Sequence, residues 1–132
     1  MKGLAPLALL LVLCACDDPT FNNSLDHVGL YTMTTVNGGV LPATLSSNDS
    51  IQVEVTGGSV SLEADHSFVE RATFRVTEDG VASSEDEVVA GRYTRRGDVF
   101  DLDGTDGTAL TAIRDGSTLT VVRGSFELTY QK

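Results

Sequence analysis

From Val28 onward, apolar and polar residues alternate one for one along most of the chain, and no window of a dozen residues carries a 3.6-residue apolar repeat. A helix built on that pattern would have no continuous face to bury, so the alternation predicts an all-β domain. Val28 to Val36 is rich in β-branched and aromatic residues; Ile51, Val53 and Val55 alternate with Gln52, Glu54 and Thr56; Val60, Leu62 and Ala64 alternate with Ser61 and Glu63. Phe68 to Thr77, Glu87 to Arg95, Val99 to Asp103, Thr108 to Ile113, Thr118 to Arg123 and Phe126 to Tyr130 follow, giving about nine strands. Gly57-Gly58, Asp79-Gly80, Asp115-Gly116 and Gly124 supply the positive φ of tight hairpins, with Asp65-His66 and Gly97-Asp98 as weaker turn signals. Val40 to Leu45 reads equally as a strand or a crossing loop.

Strands joined by such short turns are antiparallel neighbours. The simplest topology is an up-and-down meander of about 8–9 strands that removes its edges by closing into a small barrel. A two-sheet sandwich of the same strands is the alternative, and it buries the same residues. The inward set runs Leu30, Ile51, Val53, Val55, Val60, Leu62, Phe68, Phe74 and Val76 through the first half. Tyr93, Phe100, Leu102, Leu110, Leu119, Val121, Phe126, Leu128 and Tyr130 continue it through the second. At 132 residues the chain has the length of one domain, predicted over 28–132.

The N-terminus has the grammar of an export signal, with Met1-Lys2 followed by apolar Leu4 to Leu13, broken only by Pro6. That stretch is too short to span a bilayer, which takes roughly 20 apolar residues. Leu13-Cys14-Ala15-Cys16 then resembles the bacterial lipobox. The resemblance implies a signal peptide over 1–15, removed before Cys16, and diacyl or triacyl (palmitate-type) lipid on Cys16. Cys14 is a less well placed alternative. The expected location is the cell envelope, exported and held on a bacterial membrane through Cys16. Asp17 resembles the inner-membrane retention signal of enteric bacteria, a rule that does not carry over to other groups, so the leaflet stays open. Residues 16–27 read as a polar tether reaching at most ~35 Å. Cys14 and Cys16 are the only cysteines, so no disulfide is expected in the domain.

Net charge is −10; without Lys2, eight basic side chains face nineteen acidic ones and the balance becomes −11. Scattered cations on a polyanion exclude nucleic acid as the expected partner. A monomer is expected.

Gly29-Leu30-Tyr31 opening the first strand, then Val36-Asn37-Gly38, Leu41-Pro42, Gly91-Arg92-Tyr93, Gly97-Asp98 and the closing Phe126 to Tyr130, resembles small lipocalin-like lipoproteins of environmental bacteria. The resemblance implies a barrel that holds a ligand. Tyr31 stands where lipocalins carry tryptophan, and Arg123 is the candidate for the arginine those proteins pack over it. The chain has no tryptophan.

Chemistry-bearing patterns are sparse. His27 and His66 lack ligand-spaced companions and read as exposed, so no metal site and no cofactor is expected. Asp101, Asp103 and Asp106 suggest a calcium loop, but Asp106 and Ala112 occupy the sixth and twelfth positions where an EF-hand needs glycine and glutamate, so an acidic hairpin loop is predicted. No Gly-x-Ser-x-Gly elbow occurs, and the chain is not expected to be an enzyme. Arg96-Gly97-Asp98 reads as a solvated hairpin tip.

Glu70 breaks its local rule, sharing the apolar face of Phe68, Ala72 and Phe74. It predicts either a rim carboxylate reaching water, a partner for Arg95, or a group orienting a ligand's polar end. Glu70, Phe74, Tyr93 and Tyr130 are the candidate ligand-lining residues. Two functions follow: a tethered module binding a small apolar or amphipathic molecule, with Phe74, Tyr93 and Tyr130 around a void, or a filled-core protein binding or inhibiting an envelope protein through its loops. In the second, Glu78 to Glu87 is a mobile flap.

Overall fold

Alternating side chains and tight turns build ten strands in the computed structural model, which describes residues 24–132. Segment 1–15, the lipidation candidate Cys16 and tether residues 16–23 lie outside the described residues. The strands are β1 (Gly29–Val36), β2 (Gly39–Val40), β3 (Ala43–Ser47), β4 (Ile51–Leu62) and β5 (Ser67–Glu78), then β6 (Val81–Arg96), β7 (Val99–Gly104), β8 (Ala109–Asp115), β9 (Thr118–Arg123) and β10 (Phe126–Gln131).

From β4 to β10 each strand pairs antiparallel with the next, and β1 completes the circle between β10 and β4. The fold is therefore a closed eight-stranded antiparallel barrel with β2 and β3 as additions, and the sandwich alternative is excluded. Two-residue hairpins make several of the corners. Asn37-Gly38 and Asp79-Gly80 both have positive φ at each residue, the geometry whose twist matches flanking strands.

One expected turn is absent. Gly57-Gly58 lies inside the twelve-residue β4, where neither glycine has positive φ. The inward set switches from odd (Val53, Val55) to even (Val60, Leu62) because Thr56 is the extra residue of a β-bulge, with Val55 opposite Phe74 and Gly57 opposite Thr73. Gly58 instead permits close approach: an added Cβ would lie 2.6 Å from both the Met33 methyl and the Arg71 carbonyl oxygen.

The bulge also splits the wall. Beyond it Ser59 to Leu62 pair with β1, whereas Gln52 to Val55 pair with β3, and the far half of β1 pairs with β2. One end of the barrel therefore opens into an overhang formed by β3, β4, β5 and the first half of β6. Glu78 to Glu87, expected as a mobile flap, is the tip of this overhang: Val81 to Glu87 pair residue for residue with Ala72 to Glu78.

The overhang corrects part of the predicted core. Phe74 and Phe126 are only partly buried because they line the open cup, while Val53 and Val76, partly buried, and Ile51, exposed, pair further out on the overhang. Leu30 is 60% exposed and Tyr31 0%, a one-residue change of face on β1 that lets the Tyr31 hydroxyl donate to the His27 carbonyl at 2.7 Å. Met33, Val36, Ala72, Val89 and Ala112 join the core alongside Phe68, Phe100, Leu102 and Leu119.

Candidate functional site

The two ends of the barrel are built differently. At one end Ser24 to Val28 folds back as a plug rather than continuing a polar tether: Leu25–His27 is a single 3-10 turn, and His27 is 5% exposed instead of facing solvent. Its ring packs edge-on against Tyr93 and at 5.5 Å from Phe100. The Tyr93 hydroxyl donates to the Glu63 carbonyl at 2.6 Å, so the 2.9 Å contact from His27 Nε2 must carry the imidazole proton. Nδ1 is then the acceptor for Arg95 Nη1 at 3.1 Å, and the same nitrogen of Arg95 donates to the Ser24 carbonyl. A hydrogen bond from the Ser24 hydroxyl, and then Arg114 at 2.8 Å, hold the Asp26 carboxyl below its ordinary range. Lys132 Nζ donates to the carbonyls of Asp26 and Val28 and lies 5.8 Å from the centre of the Tyr31 ring. The cation over Tyr31 is thus Lys132, and Arg123, expected in that role, stands at the opposite end.

Burial disfavours charge on His27, and Arg95 beside it adds repulsion; both pull its pKa below the ordinary imidazole value, against weaker opposing contributions from Ser24 and Asp26. A histidine lowered in the fold binds fewer protons than in the unfolded chain, so stability falls as pH drops below about 6.5 and is fully present above it. The parent is expected to lose melting temperature between pH 7.5 and 5, and His27→Gln, whose amide can still donate to Tyr93, to lose less; calorimetry of both at the two pH values checks this. Equal losses would remove His27 as the cause.

A polar groove of about 950 Å³ flanks the plug, yet its charged groups Arg95, Arg114, Asp26 and Asp98 already pair with one another.

The open end holds an apolar cup of about 440 Å³, within the ~300–1,000 Å³ usual for small-molecule sites. Met33, Val55, Ala72, Phe74, Phe126 and Leu128 form most of its wall, Leu45 of β3 closes one side, and the Gly124-Ser125 hairpin borders it. Arg123 and Glu87 are the charged groups of its lining.

Behind them sits Glu70, 0% exposed, corrected from a rim position to the barrel interior. Its oxygens accept from Arg123 Nη1 at 3.3 and 3.4 Å and from the Tyr130 hydroxyl at 3.2 Å, while Arg123 Nη2 donates to Glu87. Arg95, the partner expected from its parity with Tyr93, is out of reach. Glu70 is opposite Val89, and six further residues of strand place Arg95 ~20 Å along β6. Burial raises the Glu70 pKa, opposed by Arg123 and Tyr130 and reinforced by Glu87; burial and the neighbouring carboxylate raise Tyr130 strongly.

The four candidate residues therefore divide. Phe74 lines the cup, Glu70 and Tyr130 lie beneath its charged wall, and Tyr93 belongs to the plugged end. Arg123 and Glu87 had no place in the sequence-based site. Arg123 shares the inward parity of Leu119 and Val121, the signal that could have found it.

Together these features define a small closed β-barrel with one plugged end and one open apolar cup. No protein-family model, curated protein or solved structure matches the chain.

Proposed function

We propose that the protein is a lipid-anchored binding module of the bacterial cell envelope, exported by residues 1–15, acylated on Cys16, and carrying a small apolar or amphipathic molecule in the cup. The 440 Å³ cavity with its predominantly apolar wall carries this reading, because an exposed concave apolar surface costs free energy unless it is covered. The export grammar and the Leu13-Cys14-Ala15-Cys16 sequence support the anchor. The arrangement favours binding over catalysis: the charged groups beside the cup are engaged with each other, and His27 is committed to the plug.

A second reading, in which the protein acts on an envelope protein through its loops, draws on the plugged half, where Tyr31, Tyr93 and Phe100 fill the lumen.

Native mass spectrometry of the full chain, extracted gently from a bacterial host, tests the proposal in one measurement. The expected spectrum shows a chain beginning at acylated Cys16 with a discrete additional mass that disappears on denaturation. An unacylated product overturns the anchor; repeated recovery of the acylated chain with no added mass overturns the cargo and leaves the loop reading.

A further inference from the structure

A carboxylate head group taken out of water is costly unless a free cation or hydrogen-bond donors meet it. Arg123, the one basic residue lining the cup among the described residues, has Nη1 committed to Glu70 and Nη2 to Glu87. The charged wall therefore sums to one guanidinium against two carboxylates. Among the described residues the surrounding inward face adds no cation. On β5 the inward residues are the even-numbered set that includes Glu70, Ala72 and Phe74, so Arg71 and Arg75 point to the outer face, where Arg75 pairs with Glu54. Opposite the inward Phe74 stands Glu85, and next to the overhang tip stands Glu78. A ligand carboxylate placed here would be the third, facing like charges with no free cation among the described residues, and desolvating it in an apolar cup would cost more still.

What the wall offers is acceptors. Glu87 is 54% exposed on its side chain and keeps lone pairs open toward the mouth after receiving Arg123. We infer that the cup selects amphiphiles by head group, taking an apolar tail with a hydrogen-bond-donating, non-anionic head, an amine ahead of an alcohol, and rejecting carboxylates. This rests on the cup being a ligand site, and it assigns Glu87, backed by the Glu70–Arg123 pair, as the group that reads the head.

The test uses the full acylated chain in nanodiscs of zwitterionic lipid and three photoreactive decyl probes of equal length, ending in an amine, an alcohol or a carboxylate. Peptide mapping reads adducts on the cup residues Met33, Phe74 and Phe126. The amine is expected to label these positions at a concentration about tenfold below the carboxylate, with the alcohol between them. Glu87→Gln, a change at an exposed side chain, is expected to narrow that gap by releasing Arg123, chiefly through better labelling by the carboxylate. A net-charge effect of the whole polyanion would leave the gap nearly as it was, which overturns the assignment to Glu87. Carboxylate labelling equal to or stronger than that of the amine overturns the head-group selection while the cup stands as a ligand site. No labelling of these residues by any probe overturns both.

Discussion

Gly91→Ala is expected to destabilise the barrel by about 3 kcal/mol or more, a large share of the ~5–15 kcal/mol that holds a small domain folded. Gly91 sits on β6 opposite Gly104 of β7, and an added Cβ would lie 1.9 Å from the Asp103 carbonyl oxygen and 2.9 Å from the Gly104 Cα. Both obstructing groups are backbone, so no rotamer change relieves the overlap, and the two strands must separate where the barrel wall leaves the overhang. A urea titration followed by circular dichroism measures it, with Gly57→Ala as the control. That glycine has no neighbour within 4 Å of an added Cβ and no positive φ, so its replacement should be neutral or slightly stabilising. Similar midpoints for both variants would show that β6 and β7 do not pack as described.

The second large effect concerns the buried carboxylate. Arg123→Ala leaves Glu70 inside the barrel with only the Tyr130 hydroxyl as donor, and removing one member of a buried ion pair costs about 3–5 kcal/mol. The sign of its pH dependence follows from linkage. Without Arg123, burial raises the Glu70 pKa unopposed by its main counter-charge, so the folded state holds a proton that the unfolded state releases. Stability is then lost as pH rises above the unfolded value near 4.5 and regained as pH falls toward it. Urea midpoints of parent and variant at pH 8 and pH 5 should therefore differ more at pH 8. Adding Glu70→Gln to Arg123→Ala should recover a substantial part of the loss, since a neutral amide replaces the stranded charge. A difference independent of pH, with no recovery in the double variant, would assign the cost to lost packing of the arginine stem.

Strand identity was legible because a half-buried strand writes its face directly into the sequence, and most turn dipeptides lay where hairpins need them. The misread segment is instructive for the same reason. A change of parity between Val55 and Val60 has two physical causes, a reversal of the chain or a one-residue bulge, and two consecutive glycines favour the first on local grounds. What decides for the bulge is contact with Met33 of another strand, which local pattern does not carry. The same limit applies to the site. Glu70 announced itself as a carboxylate on an apolar face, but its partner comes from β9, across the lumen, and parity tells which residues point inward without telling which of them meet. His27 was invisible because its burial depends on Tyr93, Arg95 and Glu63, none of which is near it in sequence.

Ser24 and Lys132 both leave the barrel at the plugged end, Ser24 held by Arg95 and the Lys132 amide by Ser117, whereas the cup opens at the other. The molecule therefore has a base and a rim. Anything fastened ahead of Ser24 meets the barrel at its base, opposite the rim. On the proposed attachment through Cys16, a ligand of the cup would enter from the side away from that attachment.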